Sequence, residues 1–292
     1  MGWLIAAVLL IIAAAAFLLR SAYERKQLSI TEYDVSQETV PEAFDGFRIV
    51  FLSDLHDHRF GDKNEKLIGS IRELKPDLIL FGGDMITVKT WNEGDFAVLR
   101  ELLNALRDFT VCYANGNHED RMAEETETYP GWYERFTELL KEYPNVQYLK
   151  NASARLSRGA ERITVSGADL EKKYYGPVIK RKLRKEQIDA LVGPAQDGYR
   201  ILLLHSPLYL RESADWGADL TLSGHFHGGT VRLPLLGGLM TPQYQLFSRY
   251  CRGKFTFGNR VGIVSGGLGT HTFNFRFLNL PEVILIKLHK EK

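Results

Sequence analysis

Five short apolar runs in this 292-residue chain each give way, within three residues, to Asp, Asn or His. Run 47–52 precedes Asp54-Leu55-His56, run 78–81 precedes Gly83-Asp84, and run 110–114 precedes Gly116-Asn117-His118-Glu119. Run 201–204 ends on His205, and run 220–222 leads into Gly224-His225-Phe226-His227-Gly228. Runs so short and so continuously apolar suit strands covered on both faces. Three more, at 163–166, 261–264 and 283–288, have the same character. Between them, 64–74, 96–109 and 132–143 show helical spacing, and Lys75-Pro76-Asp77 stops the first of these helices. The alternation predicts one α/β domain from about residue 29 to residue 292.

In open α/β sheets, ligands collect beyond the carboxyl ends of the strands. Residues far apart in sequence, Asp54, Asp84, Asn117, His205 and His225, are thus expected at one edge. Five of the eight histidines fall in these motifs, leaving His58, His271 and His289 outside. Gly82-Gly83, Gly116, Gly224 and Gly228-Gly229 remove side chains where the backbone must turn near that edge. Asp, His and Asn mixed in this way suit two adjacent divalent cations better than a packed core. Each residue alone has a plainer use. Asp54 or Asp84 could cap a strand end, Asn117 could serve a turn, and His205 could be a hydrogen-bonded core histidine. Two histidines at i and i+2 amid glycines have little packing purpose, and the whole set in order favours a site.

The formal net charge of +1 gives no electrostatic case for nucleic acid. Two distant cysteines, Cys112 and Cys251, resemble neither a zinc finger nor a disulfide framework, and Cys112 lies in an apolar run as a small buried hydrophobe would. Nothing in the residues sets an oligomeric state.

Residues 2–19 carry no charge, and Arg20 closes the run. At 1.5 Å per residue they make about 27 Å of helix, close to the hydrocarbon thickness of a bilayer. A cleaved signal peptide normally begins with basic residues, which are absent here, and Arg20-Ser21-Ala22 makes a poor cleavage site. The expectation is an uncleaved single-pass anchor over residues 1–28, contacting membrane through 2–19. Arg20, Arg25 and Lys26 flank its carboxyl end, which by the positive-inside rule keeps the domain that follows it cytoplasmic.

Taken together, Asp54-x-His56, Gly83-Asp84, Gly116-Asn117-His118-Glu119, His205 and Gly224-His225-x-His227 resemble the ordered signature of calcineurin-like metallophosphoesterases. The stretches 262–269 and 281–283 are similar to a membrane-associated bacterial branch that includes phosphodiesterases and the pyrophosphatases that cleave UDP-diacylglucosamine. The resemblance implies a four-layer α/β/β/α sandwich with two divalent metal ions, Mn, Fe or Zn. It implies Asp54, His56 and His227 on one metal, Asn117, His205 and His225 on the other, and Asp84 bridging them. A bridging water acidified by both metals would attack phosphorus in line. His118, which cannot easily ligate beside Asn117, would polarise the phosphoryl group or protonate the leaving oxygen.

Gly267 stands where that branch often has arginine, so His58 and Arg59 are candidate replacements for holding phosphate, with His271 and Asn274 weaker ones. Positive charge is dense over 172–185, which reads as a solvated helix face or as a contact for anionic headgroups. Leu233-Pro234-Leu235-Leu236-Gly237-Gly238-Leu239-Met240 reads as core cover or as an apolar lip admitting acyl chains. The expected substrate is a phosphodiester or pyrophosphate, lipid-linked. The alternatives are a phosphatase or nucleotide phosphodiesterase acting on soluble substrates and, from another class, a non-catalytic metal-binding scaffold.

Overall fold

The computed structural model describes residues 1–90, 94–177, 180–270 and 274–291. Helix α1 (Gly2–Glu24) precedes β1 (Ser29–Gln37) and β2 (Arg48–Leu52), then α2 (Glu65–Glu73), β3 (Leu78–Gly82), α3 (Ala97–Ala105) and β4 (Val111–Ala114). Next come α4 (Asn117–Glu124), α5 (Trp132–Lys141), β5 (Val146–Tyr148), β6 (Ala152–Arg158) and β7 (Glu161–Gly167). They are followed by α6 (Lys185–Val192), β8 (Tyr199–Leu203), α7 (Leu210–Trp216) and β9 (Leu220–Ser223). A short ribbon, β10 (Arg232–Leu233) with β11 (Gly237–Gly238), leads to β12 (Gly253–Phe257), β13 (Arg260–Val264) and β14 (Glu282–Lys290).

Two six-stranded sheets form, in the orders β1-β14-β2-β3-β4-β5 and β12-β13-β9-β8-β7-β6. Strands β2 to β5 run parallel in the first, and β7, β8, β9 and β13 run parallel in the second. The inner faces meet through Ile49, Phe51, Leu80 and Ile284 of one sheet and Val165, Ile201, Leu222 and Ile263 of the other, all buried. On the outer face of the first sheet, Leu67 and Ile71 of α2, Leu99 and Leu102 of α3 and Phe136 of α5 cover Val50 and Phe81. On the outer face of the second, Ile188 of α6 and Trp216 of α7 cover Leu202 and Leu204. The four layers expected from the resemblance are present.

All eight apolar runs are strands. The remaining ones include β1, β6 and β12, edge strands whose exposure alternates residue by residue because one face is open to water. The basic stretch departs from expectation. Among the described residues of this stretch, Lys172–Tyr175 makes a short 3-10 turn and helix α6 begins at Lys185, so they do not form one solvated helix face. Lys172, Lys173 and Lys180 pair at the surface with Glu125, Glu171 and Glu212. Cys112 and Cys251 are buried free thiols, and burial pushes the Cys112 thiol up to about 12.

Helix α1 is long and apolar enough to cross a membrane, and its most apolar stretch is uncovered by the rest of the chain. Its carboxyl end is different. Glu24 is fully buried and accepts hydrogen bonds from the backbone N–H groups of Leu278 and Asn279, both at 3.1 Å, and from Arg20 Nε. Ser21 Oγ accepts from the N–H of Arg276 at 3.0 Å.

Candidate metal centre

Both sheets deliver residues to one edge. Asp54 and His56 follow β2, Asp84 follows β3, Asn117 opens α4 after β4, His205 follows β8, and His225 and His227 follow β9. Three groups of ligand atoms lie within 4.8 Å of one another: Asp54, His56 and His227; His56, Asp84 and His118; Asp84, His205 and His225. Asp84 thus joins the two sides. Its Oδ1 accepts the His118 N–H at 2.8 Å, while Oδ2 lies 3.6 Å from His56 Nε2 and 3.3 Å from His205 Nε2.

The strand ends turn abruptly to bring this about. Asp54, His56, Asp84, His225 and His227 all have φ between 47° and 66°, in the left-handed region. A side chain there costs on the order of 1 kcal/mol or more, and such strain concentrates at functional sites. Two glycines make the close approach feasible. A Cβ on Gly224 would sit 2.2 Å from Asp54 Oδ2, and one on Gly116 would sit 2.3 Å from Asp84 Oδ1.

Tautomers follow from the hydrogen bonds. His205 Nδ1 lies 2.7 Å from the Gly82 carbonyl and His227 Nδ1 lies 3.2 Å from the Gly269 carbonyl. A carbonyl only accepts, so each Nδ1 carries a proton and each Nε2 is turned inward, as in metal-ligating histidines. His56 Nε2 and His227 Nε2 face each other at 3.2 Å. His118 is the reverse case. Its Nδ1 accepts the Val88 N–H at 2.8 Å, so in the neutral ring the proton sits on Nε2.

Among the described residues, the buried Asn117 Oδ1 and His205 Nε2 have no hydrogen-bond partner. Two carboxylates, four inward imidazoles and an orphaned amide oxygen fit a pair of divalent cations of borderline softness. Burial disfavours a charged Asp84, but His205, His118 and His56 outweigh it and hold the carboxyl well below its usual range. Burial likewise opposes a charged His205, and the Asp84 carboxylate overcomes it, holding the imidazole at about 10. Burial raises Asp54 to about 6, with His205 opposing. A groove over the centre is lined by Asp84, Asn117, His225 and His227, with Lys172 and Tyr175 also contributing.

A calcineurin-like phosphoesterase profile matches residues 47–229, well over half of the chain and spanning every residue of this cluster. The chain belongs to the calcineurin-like phosphoesterase family. It is 29% identical to the Bacillus subtilis protein named "Uncharacterized metallophosphoesterase YkuE" over 267 residues, 91% of this chain and 87% of that one. It is 28% identical to Escherichia coli "Phosphodiesterase YaeI" over 247 residues, 83% of this chain and 82% of the other. A Danio rerio "Transmembrane protein with metallophosphoesterase domain" is 26% identical over 73% of this chain and 48% of its own length. As a member of the family, the protein is a metal-dependent phosphoester hydrolase that uses two divalent metal ions.

Several residues support the centre in ways the sequence reading did not assign. Glu119, fully buried, accepts from the N–H groups of Asp84, Met85 and Gly116 and from the Tyr113 hydroxyl, at 2.7 to 3.0 Å. It ties the Asp84 loop to the loop that starts α4. Glu119→Gln must orphan at least one of these buried backbone donors, a cost of about 1–3 kcal/mol. A lowered thermal midpoint is the expected reading. The Tyr175 ring lies 5.0 Å from that of His225. Arg276 is buried and donates to the carbonyls of Gly266, Gly267, Gly269 and Asn279. Asn279 Nδ2 donates to the His227 carbonyl at 2.7 Å.

The candidate phosphate holders fare differently. Arg59 is engaged by Glu101 at 2.9 and 3.0 Å, and His58 Nε2 donates to the Arg25 carbonyl at 2.8 Å. Neither replaces a missing arginine. At Gly267, with φ 69°, a Cβ would press on Asp54 Cβ at 3.0 Å, so a side chain there is strained as well as crowded. Asn274 Oδ1 accepts from Arg25 at the surface, and His271 lies outside the described residues.

Beside the centre, Asn115 Nδ2 donates at 2.9 Å to both Asp120 Oδ1 and Asp169 Oδ2. Burial raises Asp120 to about 6, and burial together with Asp120 raises Asp169 well above its ordinary 3.8. The folded chain therefore holds protons on this pair that the unfolded chain gives up near 3.8. The stability they bring is complete below that pH and is lost as pH rises through about 6 and beyond. Asp169→Asn is expected to raise the thermal midpoint at pH 8, by about 2–4 °C per kcal/mol relieved, and to matter least near pH 4.

Proposed function

We propose that Asp54, His56 and His227 hold one cation and Asn117, His205 and His225 the other, with Asp84 shared. The observation carrying this reading is the Asp84 carboxylate, whose Oδ2 stands 3.6 Å from His56 Nε2 on one side and 3.3 Å from His205 Nε2 on the other. When bound, the two cations polarise the phosphoryl group and acidify water at neutral pH. The chain's own residues do the rest. Glu119 and the Gly82 and Gly269 carbonyls fix the ligands before substrate arrives, and His118 holds its Nε2 proton toward the centre. As water oxygen bonds to phosphorus and the phosphorus–oxygen bond to the leaving group breaks, the proton the water gives up ends on the leaving oxygen, while His118, its Nδ1 taken by the Val88 N–H, donates an Nε2–H hydrogen bond that polarises the phosphoryl group.

The substrate is a phosphodiester or a pyrophosphate, lipid-linked, worked on by a domain over residues 29–292 that residues 1–28 anchor as a single-pass segment. Arg20, Arg25 and Lys26 put that domain on the cytoplasmic side. The second reading, hydrolysis of soluble phosphate esters with the anchor setting location only, is favoured by the groove over the centre, which is lined by charged and polar side chains such as Asp120, Arg121, Glu124 and Lys172. Stripping the purified protein with EDTA is expected to stop hydrolysis of bis(p-nitrophenyl) phosphate, and Mn, Fe or Zn to restore it. Turnover that survives complete chelation contradicts the proposal.

A further inference from the structure

A second cleft opens on the other side of His227 from the polar groove. Val231, Leu239, Met240 and Pro242 line it, with His227 contributing from the centre and Phe275 also in its wall. The Phe275 ring packs edge-on against Phe17, centroids 5.7 Å apart, and Phe277 stacks on the same Phe17 ring at 5.0 Å. Phe17 belongs to the apolar run of α1, so one wall of the cleft touches the helix that is long and apolar enough to cross a bilayer.

The surface around the cleft is unusually apolar. Leu235, Leu236, Tyr244, Leu246 and Phe247 are each between 47% and 106% exposed, all within thirteen residues. Leu278, also exposed, borders a hollow with Leu233 and Leu235, and its N–H is held by Glu24 at the foot of α1. Large apolar side chains gathered on a surface mark contact with a membrane or an apolar ligand. Here they adjoin a helix that a bilayer would surround, and the cleft they border leads to His227.

We propose that this cleft is an acyl-chain subsite. A membrane lipid keeps one chain between Met240 and Phe275 while its phosphoester reaches the metal centre, so hydrolysis proceeds without the lipid leaving the bilayer. The proposal deepens the phosphoesterase reading and rests on it. It also gives the 233–240 segment its role: Leu239 and Met240 face the chain, and Leu235 and Leu236 meet the membrane surface.

Full-length protein in phospholipid nanodiscs, with a diazirine near the end of one acyl chain, tests the site without relying on turnover. Label within residues 231–242 or on Phe275, in addition to residues 2–19, is expected. Label confined to 2–19 overturns the proposal. Hydrolysis adds a second reading, using p-nitrophenyl methyl, butyl and octyl phosphates. Each buried methylene is worth at most about a fourfold gain, so kcat/KM is expected to rise about tenfold or more from butyl to octyl. In Met240→Glu the octyl-to-methyl ratio is expected to fall toward one. Equal turnover of the three esters by the unaltered chain overturns the subsite and leaves the phosphoesterase reading standing. No metal-dependent turnover of any ester contradicts the phosphodiesterase reading, and the crosslink then decides the cleft by itself.

Discussion

Asp84→Asn is expected to lower kcat/KM by about 10³-fold or more, equal to at least ~4 kcal/mol of transition-state stabilisation. The change is nearly isosteric, so it spares packing and removes charge from a side chain that stands between His56 and His205. Asparagine keeps an oxygen that can accept the His118 N–H, as Asp84 Oδ1 does at 2.8 Å. What it loses is the negative Oδ2 between His56 and His205. Two cations held close together repel, and a shared carboxylate is what offsets that repulsion. Steady-state kinetics on bis(p-nitrophenyl) phosphate, with a thermal melt to confirm folding, checks the effect. A folded variant retaining more than about a tenth of wild-type turnover would show that Asp84 does not bridge.

Arg276→Met is the second large effect, and it acts through structure. The guanidinium is fully buried and meets four backbone carbonyls. Burial lowers its pKa to about 10, so it remains charged at neutral pH. Removing it takes the side-chain donor from the Gly266 and Asn279 carbonyls, leaves the Gly267 and Gly269 carbonyls with one partner each, and leaves buried Glu24 and Glu282 without its charge, which together cost about 3–5 kcal/mol, or roughly 10 °C in thermal midpoint. The damage would not stop there. Gly269 accepts from Arg276, donates its N–H to the Asp54 carbonyl at 2.6 Å, and supplies the carbonyl that sets the His227 ring.

The foot of α1 belongs to the same clamp through Ser21 and Glu24. A chain cut after residue 19 keeps both groups, whereas one cut after residue 28 loses them. The shorter deletion is therefore expected to melt near the full chain and the longer one well below it. Equal midpoints for all of these chains would remove the clamp from the account.

The fold was legible where burial is two-sided. β2, β3, β4, β8 and β9 announce themselves as continuous apolar runs because both faces of each are covered, and the ligand types that follow them mark the edge where the sheets open. β1, β6 and β12 stayed hidden because an edge strand with one wet face reads as an alternating, partly polar stretch. The candidate ligands were visible for a related reason: Asp, Asn and His each have plainer uses alone, but recurring in order directly after apolar runs they favour a site.

What supports the ligands was not visible. Glu119 could be seen beside His118, but that its carboxylate gathers donors from three chain segments depends on how those segments meet. Arg276 gave no local signal, since its partners lie at 266–269 and 279 and its own N–H is held by Ser21. His58 and Arg59 misled for the same reason. Nearness in sequence to Asp54 and His56 suggested a phosphate contact, yet the sharp left-handed turn at 54–57 sends them to Arg25 and Glu101.

The central claim is a pair of cations joined by Asp84, and divalent-metal content per chain tests it most directly. Elemental analysis of the active, purified full-length protein should find two ions per chain, and Asp84→Asn should carry clearly fewer. Active wild-type protein holding less than one ion per chain, or a folded Asp84→Asn with its metal undiminished, would contradict it.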